Sequence, residues 1–170
     1  MKPLLLGIDG LSYSKFMDCG ANALLGLVDS AQRGVTESDL PKKPCISWRS
    51  VLQLGESQDV YASPLIRSTG ATLVNIPIQS PTLGLCSRDL AAPANLNDEI
   101  ACVEKSVKEN LIQRPVIAGI TSLQRLSGDE LCKAYPVVDG FVARLLSFAE
   151  DFIIFSSYGV LGNDDLEPYG

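Results

Sequence analysis

The 170-residue chain contains no histidine. No Ser–His or Cys–His pair can therefore be built, no imidazole can bind zinc, and no histidine can act as acid or base near neutral pH. Any catalysis must use carboxylates, thiols, hydroxyls, Lys, Arg or a bound ion. Cysteine is present but unpatterned: Cys19, Cys45, Cys86, Cys102 and Cys132 are odd in number and include no CxxC pair. That argues against disulfide and zinc frameworks and for small buried thiols. Positive charge is also short, with 14 Lys and Arg against 20 Asp and Glu. The net charge of −6 discourages binding to nucleic acid and to anionic membranes. No apolar run approaches the length of a membrane span, and "MKPLLLGIDG" is too short in its apolar part for a signal peptide. The expectation is a cytoplasmic protein. Repeats, linkers and low-complexity tracts are absent.

What is present is an ordinary globular composition, 46% hydrophobic and 20% charged, in a length that fits one domain over 1–170. Four apolar runs have the continuous character of strands buried on both faces: 3–8, 71–78, 114–120 and 151–157. Helical patterns lie between them. Residues 14–32 carry Phe16, Ala23, Leu24, Leu27, Val28 and Ala31 on one stripe. Residues 97–112 open on Asn97, Asp98 and Glu99, an N-cap followed by acidic residues that suit the helix dipole. Residues 136–149 place Val138, Phe141, Val142, Leu145, Leu146 and Ala149 at helical spacing. Strands alternating with helices predict a three-layer α/β/α domain with a mainly parallel sheet.

In such sheets ligands collect at the carboxyl ends of the strands, so the strand exits hold the candidate residues. Asp9 follows the first run and precedes Gly10, where its carboxylate suits either one divalent cation, Mg²⁺ or Ca²⁺, or an ordinary turn. The segment 41–55 starts with prolines and turns helical from about Ser47. Cys45 with Arg49 nearby could there be a nucleophile and an anion-binding group at a helix start, or Cys45 could be structural. Asn75, in "NIPIQSPTLG", leaves the second run through a rigid connection.

Taken in order, these segments resemble the alkaline phosphatase superfamily, particularly its type I phosphodiesterase and nucleotide pyrophosphatase branch. "LLLGIDGLSYSKF" looks like the opening strand with its metal-binding Asp, "TGATLVNIPIQSP" like the branch's second-strand phrase with Asn-x-Pro, and "YPVVDGFVARLL" like its Tyr-x-x-x-Asp helix before the last metal strand. The resemblance spans nearly the whole chain. It implies an alkaline phosphatase-like core, a nucleophile between two metal ions, and Asn75 and Arg49 on the substrate side. Asp9 stands at the first metal ligand. Gln124 and Ser127 stand where the family has Asp-x-x-His, and Ser157 and Tyr158 where it has the Asp-His of Ser-Asp-His-Gly. At the nucleophile, counting from Pro41 and Trp48 selects Pro44, which cannot attack. Counting back from Gly55 selects Cys45 in a phrase like the sulfatase pattern Cys-x-Pro-x-Arg, with Ser47 in place of the Pro.

The resemblance therefore implies a degenerate member, a catalytically impaired domain that binds a small phosphorylated or anionic ligand or serves as a regulatory protein. The alternative is an active phosphoester or sulfate-ester hydrolase, with Cys45 as nucleophile and one ion at Asp9, to which Asp164 and Asp165 could add oxygens.

Overall fold

The computed structural model describes residues 2–34, 44–57, 59–78 and 95–156, without the side chains of Pro44 and Cys45. Each of the four apolar runs supplies one strand: β1 (Leu4–Ile8), β2 (Thr72–Val74), β3 (Val116–Ile120) and β4 (Phe152–Phe155). They form one sheet in the order β2-β3-β1-β4. All three pairings are parallel, with Gly7 opposite Gly119 on one side and Phe155 on the other. Parallel strands put every strand exit on one edge, so Asp9, Asn75, Thr121 and Ser156 share it.

Alternation along the strands sends side chains to two faces. Leu4, Leu6, Ile8, Val116, Ala118 and Ile120 join one apolar cluster. It is completed by helices α1 (Tyr13–Asp18), α2 (Asn22–Ser30), α5 (Leu96–Leu111) and α6 (Gly128–Leu146). Leu5, Leu73, Ile117 and Phe155 meet a second cluster, built on Trp48 and Leu52 beside α3 (Pro44–Val51) and Ile66 of α4 (Pro64–Thr69). The fold is α/β, with an all-parallel sheet covered by helices on both faces. No helix among the described residues is long and apolar enough to cross a membrane.

The helices depart from the sequence reading where local signals compete with packing. The pattern over 14–32 is two helices, because Gly20 takes φ +74° and turns the chain between Asp18 and Asn22. Helix α5 is capped by Asn95, whose side chain accepts the Asn97 N–H, two residues ahead of the expected cap. Helix α6 starts at Gly128 and runs through Pro136. The backbone bond lost at a helical proline is offset there by burying Leu131, Ala134 and Tyr135 in the preceding turns.

The largest correction concerns cysteine. Cys19, at the end of α1, is disulfide-bonded to Cys132 on α6, across 113 residues of sequence. Cys102 is disulfide-bonded as well. The pairing of Cys19 follows from the docking of α1 on α6, which spacing in the sequence does not reveal.

Helices α5 and α6 are joined by an ion pair in which both Glu104 oxygens accept from Arg144, at 2.8–3.1 Å. Lys108 adds a third donor at 2.7 Å. The Arg144 guanidinium holds the Glu104 carboxyl below its ordinary range against the opposing effect of burial, with Lys108 helping. A carboxyl whose folded pKa is depressed stabilises the fold above its unfolded pKa and loses that contribution as pH falls through the folded one. With Arg144 half exposed, Glu104→Gln should cost about 0.5–1 kcal/mol at neutral pH. In urea titrations the difference from wild type should close on acidification below the carboxylate range.

Candidate functional site

At the carboxyl edge the two central strands carry glycines in register, Gly7 and Gly119. The missing side chains leave a slot over the sheet, and the indole of Trp48 fills it. A Cβ on Gly119 would stand 3.0 Å from Trp48 Cζ2 and 2.8 Å from the Asn75 carbonyl oxygen. One on Gly7 would meet Trp48 and, at 2.7 Å, the Phe155 ring. Phe155 closes the slot edge-on, with ring centroids 5.1 Å apart. From this position the Trp48 N–H donates to Asp9, 3.0 Å from Oδ2 and 3.3 Å from Oδ1. Both residues are fully buried. Asp9 is further fixed by its backbone, whose N–H extends the β1–β3 ladder to the Ile120 carbonyl at 2.9 Å.

A second buried carboxylate lies at the same edge. Glu99, in the first turn of α5, accepts the Thr121 N–H and hydroxyl and the Asn75 amide on Oε1, and the Ser122 N–H on Oε2, all within 2.7–2.9 Å. Asn75 gives a second bond, to the Gly119 carbonyl at 2.9 Å. It holds a left-handed backbone at φ +53°, which Asn tolerates better than most residues. The amide expected on the substrate side thus ties the β2 exit to β3 and α5.

The β1 exit bends at Gly10, φ +86°, against the backbone of Gln124, whose Cα would lie 2.7 Å from a Cβ there. Only glycine fits, and Gln124, buried in the short helical turn Ser122–Arg125, lies against the residue that follows Asp9. Tyr135 of α6 fixes the next residues. Its buried hydroxyl accepts the Ser12 N–H at 2.9 Å and donates to the Gly10 carbonyl at 3.4 Å. Burial pushes this phenol above its ordinary pKa, with the Ser12 bond pulling the other way. One turn on, Asp139 caps α2 from outside, accepting the Ala23 and Leu24 N–H groups at 3.1 and 2.8 Å. Both polar residues of the Tyr-x-x-x-Asp phrase therefore hold the β1–α2 segment.

The remaining expected residues are more scattered. Cys45 lies in the first turn of α3, which starts at Pro44, ahead of the expected Ser47, and its side chain is outside the described residues. Arg49 donates to the Gly55 and Ser57 carbonyls at 2.7 and 2.8 Å, closing the loop after α3. Ser127 is exposed at the start of α6 and makes no capping bond with its side chain. Ser157, Tyr158, Asp164 and Asp165 lie outside the described residues. Sequence reasoning missed Trp48 and Glu99 as site residues. The visible signal for Trp48 was that it is the only tryptophan and follows a Pro-rich approach to a helix.

No protein-family model, curated protein or solved structure matches the chain.

The slot gives two expected outcomes. Gly119→Ala should destabilise the domain by about 1–3 kcal/mol, the usual cost of forcing atoms into a filled site, and should red-shift the emission of the single tryptophan. Trp48→Phe keeps most of the ring but removes the donor from a buried carboxylate, at about 1–3 kcal/mol. Urea unfolding followed by circular dichroism measures both.

Proposed function

We propose that the chain is a degenerate domain of the alkaline phosphatase superfamily, nearest its phosphodiesterase-like branch, that has lost the two-metal centre and acts as a ligand-binding or regulatory protein. The observation that carries this reading is the environment of Asp9. The residue in the first-ligand position sits at the carboxyl end of β1, buried, with an indole N–H on its carboxylate. The indole N–H takes up part of the acceptor capacity of that carboxylate.

The donor set supports the same view. A two-metal mechanism clamps the attacking and leaving oxygens between two ions and needs several carboxylate or imidazole ligands. Gln124 and Ser127 stand at two of those positions with neither a carboxylate nor an imidazole, and the chain has no histidine to offer. These residues do not fit such a centre, and no reaction step is assigned to one.

A cleft of about 490 Å³ lies between the start of α5, the β3 exit and α6, with Arg125, Lys133 and Glu130 on its walls beside Asn95 and Asn97. Its mixed lining, including Leu126 and Val137, suits a small ligand with a polar and an apolar part.

Purified protein should show no appreciable hydrolysis of phosphate mono- or diesters or of sulfate esters with Mg²⁺, Mn²⁺ or Zn²⁺. Wild type is to be assayed beside Asp9→Ala and Cys45→Ala. Robust turnover lost in both variants would overturn the reading and make Cys45 the nucleophile of an active hydrolase with an ion at Asp9.

A further inference from the structure

Helix α1 has only six residues, Tyr13–Asp18, far too few to be stable alone. It is held against α6 at both ends. At its start Ser12 gives its N–H to the Tyr135 hydroxyl at 2.9 Å. At its end Cys19 is covalently joined to Cys132. Cys132 and Tyr135 are three residues apart on α6 and so share a face. Between the two anchors Phe16 is buried with its ring 6.1 Å from that of Tyr135. The segment so clamped is the direct continuation of Asp9 and Gly10, and the same tyrosine also reaches the Gly10 carbonyl.

We propose that the Cys19–Cys132 disulfide is a redox-sensitive clamp just beyond the β1 exit: oxidised, it keeps α1 docked and Tyr135 seated on Gly10 and Ser12, and reduction loosens that contact. Cys132 is half-buried and Cys19 lies at the margin of burial, so the approach is from the Cys132 side. A thiolate of a dithiol reductant attacks the Cys132 sulfur, and the Cys19 thiolate leaves and takes up a proton. The reductant's second thiolate then attacks the sulfur of the first, releases Cys132 as a thiolate that takes up a proton, and the reductant leaves as a disulfide, having given two electrons to the two cysteines. Without the covalent end, the six-residue helix keeps the Phe16 ring and the Tyr135 hydroxyl contacts, and its far end is held only through its continuation into α2, which Asp139 caps. The sheet loses nothing, because β1 is held by β3 and β4 on its two sides. The clamp does not depend on whether the domain turns over any ester.

The test is amide hydrogen exchange on the full chain, oxidised and after treatment with dithiothreitol, with thiol alkylation and mass mapping to establish that Cys19 and Cys132 are reduced. The Ser12 amide should exchange roughly tenfold faster or more on local release, while the Val116 amide, bonded to the Pro3 carbonyl in the sheet, is unchanged. Cys19→Ser/Cys132→Ser, which leaves Cys102 untouched, should match the reduced protein. Tyr135→Phe should speed Ser12 exchange with the disulfide intact. Equal Ser12 exchange in both redox states would overturn the proposal. So would a uniform rise across the sheet amides in the double serine variant, which would make the link a global stabiliser and not a local clamp. If that variant does not fold, Cys102→Ser, which lacks the other disulfide in both redox states, is compared oxidised and reduced, and the same two outcomes decide.

Discussion

The carboxyl edge is organised by one buried hydrogen bond, from the Trp48 indole to Asp9. A carboxylate fully removed from water requires donors, and this donor arrives on a side chain that also fills the space over Gly7 and Gly119. The bond and the packing are mutually dependent. Any side chain on either glycine would lift the indole, and lifting the indole would withdraw its N–H from Asp9. Through Trp48, the second apolar cluster, with Leu52, Ile66, Leu73 and Ile117, is anchored to the middle of the sheet, so one contact fixes both the face and the edge.

The same economy governs the other polar groups at this edge. Glu99 gathers Asn75, Thr121 and Ser122, and Tyr135 holds Ser12 and Gly10. Each exit from β1, β2 and β3 is thereby tied to a helix by a buried acceptor or hydroxyl. Among the described residues no buried side-chain nitrogen or oxygen lacks a hydrogen-bond partner. The described polar groups at the strand exits are bonded to one another, so each fixes the position of the next.

The four strands were legible because strands of a covered parallel sheet are apolar throughout, and Leu4–Ile8 and Val116–Ile120 have no other use for such a run. The location of Asp9, Asn75 and Gln124 at one edge followed from parallel topology alone. What those side chains bond to did not, because the partners are distant: Asp9 and Trp48 are 39 residues apart and Asn75 and Gly119 are 44 apart. Glu99 looked like a helix-dipole residue since its nearest signal was the start of α5, yet its function is set by β3. Pro136 looked like a helix start for a similar reason, and the disulfide escaped notice because Cys19 and Cys132 meet only once α1 lies on α6. Local signals located the elements, and contacts between elements assigned the polar residues.

The order of dependence runs from glycine to indole to carboxylate. The slot over Gly7 and Gly119 sets where the Trp48 indole lies, and an indole on the same chain is always present at the concentration fixed by its own helix. Its N–H meets Asp9 wherever α3 is docked. Withdrawing it would mean unpacking a side chain that is fully buried and set against Phe155, so Asp9 and α3 hold one another in place.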